Sequence, residues 1–244
     1  MCDHSAGGLD RRSFFRRTAG FSALAATSLA SIGAPSLALA AAMTREQRDA
    51  MSPDAIIESL KEGNRRFRAG KTGRHDYLAQ KRATRTGQFP SVVILSCIDS
   101  RAPAEILFDV GIGETFNARV AGNIQNDDIL GSMEFACAVV GAKVVLVMGH
   151  TACGAVRGAI DGAELGNLTA LLGKIKPAID KTAYDGDRKG SNYDFVDAVA
   201  KTNVALTMDA IRSNSPVLKG LEDEGKIKIA GSMYHLAGGE VKFL

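Results

Sequence analysis

Two stretches of the chain are apolar almost without interruption: Val92-Val93-Ile94-Leu95, and "KVVLVM" at 143–148. Runs this short and this rich in β-branched residues predict strands over 91–96 and 143–148, buried on both faces as parallel sheets require. A further strand is predicted over 114–120. Helical spacing appears over 102–109 and over 127–140, where Ile129, Leu130, Met133, Phe135, Ala136 and Val140 supply apolar faces. Another helix begins near Cys153, and a long amphipathic one covers 193–213 with Phe195, Val196, Val199, Val204, Leu206 and Ile211. Two last strands, 226–236 and 240–244, are joined at Ala237-Gly238-Gly239, a hairpin signal. Strand–helix alternation closed by a hairpin predicts an α/β fold. Its central sheet is mostly parallel and flanked by helices, with an antiparallel C-terminal edge strand. Upstream, 43–70 is polar and helical: Ser52 reads as a cap, Pro53 as first-turn residue, and Ile56, Ile57 and Leu60 recur at helical spacing. Residues 70–90 are basic and turn-rich, and 162–190 mix helix with loop.

Composition changes the picture only at the N-terminus. The 244 residues suffice for one sizeable core, and 45% hydrophobic with 23% charged residues is ordinary for a soluble protein. A net charge of +3, with no basic stripe after residue 90, speaks against nucleic-acid binding. "DRRSFFRR" at 10–17 precedes an Ala/Ser-rich apolar stretch that leads to Ala38-Leu39-Ala40. That is the layout of a cleaved export signal, and the paired arginines resemble the twin-arginine type. A membrane anchor is the alternative, but the run is short and broken by Ser, Thr and Gly. The expected organisation is a signal at 1–40, a helical arm at 41–90 and a core at 91–244, exported to the periplasm with no membrane attachment after cleavage. Residues 1–40 hold four arginines and two aspartates, so the mature charge falls from +3 to +1.

Candidate chemistry gathers at the ends of the two apolar strands. The first runs into "SCIDSR" (96–101), the second into His150 and Cys153. Ligands collect at the carboxyl ends of adjacent strands in open parallel sheets. Two thiolates and an imidazole meeting there suit Zn²⁺ in tetrahedral geometry, with the fourth position left for water. A Cys97–Cys153 disulfide, or inert buried thiols, remain open as alternatives. Twin-arginine export carries folded proteins, so a metal site assembled in the cytoplasm would arrive intact. Asp99, two residues from Cys97, lies near any metal held there. Arg101 can hold that carboxylate by bidentate hydrogen bonds and keep it ionised, so Asp99 either orients a metal-bound hydroxide or itself takes the fourth position. The competing reading is a surface ion pair worth about 0–1 kcal/mol. Cys137 falls in an apolar helix and is assigned to the core. His75 and His235 are read as ordinary residues, the latter without acidic or thiol neighbours. "GIGETF" at 111–116 starts like a dinucleotide loop, but Phe116 stands where the third glycine belongs.

"CIDSR" and "GHTACGA" resemble the paired motifs C-x-D-x-R and H-x-x-C of the β-class carbonic anhydrases, and the likeness runs over residues 54–244. "EGNRRF" (62–67), "GQFP" (87–90), "ILGSMEFA" (129–136) and the closing "YHLAGGEVKFL" also fit. The resemblance implies one zinc per subunit on Cys97, His150 and Cys153, with Asp99 and Arg101 as a catalytic dyad. It implies reversible hydration of CO₂ to bicarbonate by metal-bound hydroxide. A CS₂ or COS hydrolase, or a non-catalytic zinc or bicarbonate binder, would carry the same motif. Gln88 matches a substrate-binding position, and Phe116, Ala121 and Gly154 match pocket positions. Phe135 stands where plant-type members carry a tyrosine, so a bicarbonate-binding hydroxyl is missing. The resemblance also implies a homodimer or tetramer, its N-terminal helices (here 44–70) embracing the partner around a cleft at the subunit interface.

Overall fold

The computed structural model describes residues 42–244; the proposed export signal lies outside the described residues. Five strands form one sheet: β1 (Val92–Ser96), β2 (Thr115–Arg119), β3 (Val144–His150), β4 (Lys228–His235) and β5 (Glu240–Phe243). Their spatial order is β2-β1-β3-β4-β5. The first four are mutually parallel, with Val92 in register with both Thr115 and Val144, and β5 runs antiparallel to β4. The expected α/β architecture is therefore what the chain adopts. The order also creates a switch point. From β1 the chain moves outward to β2 on one side, and from β3 to β4 on the other, so a crevice opens between the carboxyl ends of β1 and β3.

β1 and β3 are buried throughout, and alternate residues feed two cores. Val93, Leu95, Val145 and Val147 pack into one core with Phe195, Val196, Val199 and Val204 of α9 (Tyr193–Asn214). Val92, Ile94, Val144, Leu146 and Met148 pack on the other face with Ile56, Ile57 and Leu60 of α2 (Pro53–Arg68) and with Leu107 and Phe108. Asn64 of α2 donates to the carbonyls of Leu107 and Gly239 and accepts from Val241 N–H. The preceding helix α1 (Arg45–Ala50) is anchored by Arg48, which donates to the Val140 carbonyl. Helix α2 thus covers one face of its own sheet.

Several elements differ from the pattern-based expectation. Helix α3 (Tyr77–Ala83), started by the Asp76 cap, lies inside the segment read as turns. The helix expected over 102–109 contracts to α4 (Ala104–Leu107), since Pro103 holds extended backbone before it and Asp109 is left-handed after it. Over 127–140, α5 (Asp127–Glu134) passes into a π-helical turn at Phe135–Val140, closed by left-handed Gly141. Ala136 and Cys137 are buried, while Phe135 is 51% exposed and Val139 73%. Beyond β3 follow α6 (Gly154–Ile160), α7 (Gly166–Gly173) and α8 (Lys176–Lys181), and α10 (Pro216–Asp223) comes after α9. Among the described residues no helix is long and apolar enough to cross a membrane.

Candidate metal centre

The crevice at the switch point holds the three residues singled out by type. Cys97 is the first residue past β1, and His150 is the last of β3. Between His150 and Cys153 the chain reverses through Ala152, which is left-handed at φ 53°. Asp197 of α9 supports that conformation by accepting the Ala152 N–H at 2.7 Å. Cys153 then stands at the N-terminus of α6. One ligand atom each from Cys97, His150 and Cys153 lie within 4.8 Å of one another, and all three residues are buried. Donors on a zinc tetrahedron with bonds of about 2.0–2.3 Å are about 3.5–4 Å apart, so the trio needs little adjustment to close on an ion.

Hydrogen bonding supports the same reading. His150 Nδ1 donates to the Thr151 carbonyl at 2.9 Å, which fixes the tautomer and leaves Nε2 with its lone pair. Nε2 is buried without a hydrogen-bond partner, a costly state unless something accepts that lone pair. Cys97 and Cys153 are free thiols rather than a disulfide. A hydrogen bond from Cys153 holds the Cys97 thiol down to about 4, helped by His150 and the Gly122 N–H, against the effect of burial. Cys153 is pushed up by the same hydrogen bond and by burial, so one proton serves both sulfurs. Burial works to lower His150, but contact with Cys97 raises it on balance. A preformed thiolate beside a second thiol and an unsatisfied imidazole fits a thiophilic divalent ion. Cys137, by contrast, has no such neighbour, and burial alone pushes it up to about 12, as a core residue.

Asp99 stands just outside the trio. Arg101 Nε donates to Oδ1 at 2.9 Å and Nη2 to Oδ2 at 2.8 Å, while the Arg101 N–H also reaches Oδ1. Chiefly through that side chain, Arg101 lowers Asp99 to about 2. Asp99 Oδ2 is 3.8 Å from His150 Nε2, beyond hydrogen-bond reach. The carboxylate is thus turned to the guanidinium, beside the centre. Arg119 at the end of β2 braces the turn, donating to the carbonyls of Cys97 at 2.9 Å and Asp99 at 2.6 Å. A cavity of about 290 Å³ opens onto Cys97 and Asp99, and its other walls are Ile98, Ala121, Gly154, Ala155, Gly158, Ala163, Leu168 and Leu172.

Not every expected residue joins this cavity. Ala121 and Gly154 do. Phe116 and Phe135 meet edge-on at 6.3 Å in a separate groove of about 650 Å³, between β2 and α5. Gln88 is exposed on the segment before β1. Arg119, Gly122, Asp197 and Asn203 were not foreseen. They lie 20 to 81 residues along the chain from the groups they hold, and nothing in their local pattern marks them. His235 has an acidic neighbour after all, Asp197, whose carboxyl burial raises overall. His75 is likewise tied to a carboxylate, Asp109, at 3.0 Å.

Comparison with known proteins agrees with this geometry. The family model described as carbonic anhydrase matches residues 92–241. Carbonic anhydrase 2 of Mycobacterium tuberculosis is 34% identical over 192 residues, covering 77% of this chain and 91% of its own. A tetrameric β-carbonic anhydrase of Sordaria macrospora superposes with a TM-score of 0.57 at 25% identity, over 65% of this chain and 82% of that one. The fold is shared with the β-carbonic anhydrase CafA of Aspergillus fumigatus, with a TM-score of 0.61 at 24% identity over 78% of this chain and 89% of that one. With the Cys–His–Cys trio at its switch point, the chain belongs to the β-class carbonic anhydrases.

Proposed function

We propose that the chain interconverts CO₂ with bicarbonate and a proton, using one zinc ion per subunit held by Cys97, His150 and Cys153. The observation that carries this reading is the convergence of that trio with an ionised, arginine-held carboxylate at the mouth of a small apolar cavity. Zinc, when bound, lowers the pKa of water to about 7 and so makes hydroxide available at neutral pH. Arg101 holds the Asp99 carboxyl at about 2, so at neutral pH it is ionised and accepts hydrogen bonds. It takes one from the attacking oxygen and fixes the direction of the lone pair. Arg101 keeps Asp99 ionised and turned to one side. Ile98, Ala121, Ala155, Leu168 and Leu172 surround the approach with hydrocarbon, which suits a small, uncharged, linear substrate.

Gln88, Phe116 and Phe135 lie outside the cavity of their own chain and support an oligomeric reading. A second copy docked along the exposed edge strand β2 and its aromatic groove would bring such residues to a shared cleft, consistent with the tetramer described for the Sordaria protein. In this reading residues 1–40 direct export to the periplasm and are then removed.

The test is metal content and CO₂ hydration by purified protein. Wild type should hold one zinc per subunit and turn over, while Cys97→Ser and His150→Ala lose metal and activity together. Asp99→Ala should retain metal and lose roughly 10²–10⁴-fold in turnover. Full activity in Cys97→Ser would end the proposal.

A further inference from the structure

Gly122 sits in a 3₁₀ turn (Ala121–Asn123) that follows β2, and its N–H donates to Cys97 Sγ at 3.3 Å. It is left-handed at φ 71°, and an added Cβ would meet Ile175 Cδ1 at 2.6 Å. The next residue, Asn123, is also left-handed, at φ 43°. Two such residues in succession, one of them not glycine, are unfavourable unless the surroundings hold them. What holds them is a single face of α9. Asn203, 3% exposed, donates from Nδ2 to the Gly122 carbonyl at 2.8 Å, and Thr207 one turn later reaches the Asn123 carbonyl at 3.4 Å. The amide and carbonyl of Gly122 flank one Cα, so with the backbone held at φ 71° and ψ 18° the hold on the carbonyl restricts where the amide points.

We propose that Asn203 is a positioning residue for the metal centre: through Gly122 it aims a backbone N–H at the Cys97 sulfur. A hydrogen bond to a thiolate sets its orientation and its donor strength toward a metal, and loss of such outer partners costs about 10–100-fold in metal affinity. The inference rests on Cys97, His150 and Cys153 being the ligands, not on the reaction.

Zinc affinity is measured by competition with a chromophoric chelator in wild type, Asn203→Leu and Ile211→Ala. The last is a core truncation two turns along α9. Asn203→Leu should bind zinc at least ~10-fold more weakly and shift the thiolate-to-metal charge-transfer band of the cobalt-loaded protein. Ile211→Ala should lose thermal stability but keep wild-type zinc affinity. Should Asn203→Leu not fold, the wild-type protein loaded with a spin-½ cadmium isotope gives an independent reading: the Gly122 amide proton should show scalar coupling to cadmium across the N–H···S bond. Unchanged affinity and spectrum in folded Asn203→Leu, an equal affinity loss in Ile211→Ala, or absence of the coupling overturns the proposal. A wild type that bound neither ion would overturn the metal centre itself, a result distinct from any of these.

Discussion

At Asp99 and Arg101, one guanidinium decides the protonation state of a carboxyl beside the Cys97–His150–Cys153 trio. The Arg101 side chain lowers Asp99 to about 2, whereas burial alone would raise it. Without the guanidinium, the carboxyl returns to or above its ordinary value of about 3.9. Arg101→Ala is therefore expected to raise the Asp99 pKa toward that ordinary value and to lower kcat/KM by roughly 10²-fold, with zinc content unchanged. Carboxyl NMR titration of Asp99, with kinetics and metal analysis, checks each part, and an Asp99 pKa unmoved in Arg101→Ala would assign Arg101 no role in holding that charge. This pair was legible in the chain because both groups share one turn after a strand. Arg119 and Asn203 were not. A side chain that meets the motif through the backbone, from another strand or helix, leaves no trace in local spacing.

Among the elements, α10 was missed although its start repeats a signal that was recognised elsewhere. Ser215-Pro216 has the same form as Ser52-Pro53, a cap followed by proline in the first turn. Ser215 Oγ accepts the Leu218 N–H at 3.1 Å and donates to Glu134 at 2.5 Å, which joins α10 to the end of α5. Ser215 is fully buried, so Ser215→Ala should cost about 1–2 kcal/mol of unfolding free energy in urea titrations. A loss no larger than that of an exposed serine would deny the cap its structural role. The π-helical turn before Gly141 is a different kind of miss. Periodicity assumes one constant pitch, and a wide turn in mid-helix breaks that assumption.

Across the whole molecule, one buried carboxylate joins parts distant in sequence. Asp109 accepts from Arg66 of α2 at 2.6 Å and from the Gly73 N–H at 3.0 Å, and it contacts His75. Burial acts to raise its pKa, but Arg66, Gly73 and His75 outweigh that, and the net direction is down. A carboxylate with a depressed folded pKa adds stability above its unfolded pKa of about 3.9, and that stability is lost as pH falls through the lower folded value. Asp109→Asn tolerates the left-handed backbone, so it isolates the charge. It should cost about 1–3 kcal/mol at pH 7, and the gap from wild type should narrow as the pH falls below about 4. A pH-independent difference would rule out the charge as its source. Burial patterning and motif chemistry by themselves determined the parallel sheet with its antiparallel edge, and the identity of Cys97, His150, Cys153, Asp99 and Arg101, because both signals are local: aliphatic runs report burial, and ligand types at strand ends report chemistry. Only the tertiary structure decided that β1 and β3 are neighbours with the crevice between them, and that α9 holds the loop against Cys97. Those relations depend on the path of the chain between distant segments, which no local pattern encodes.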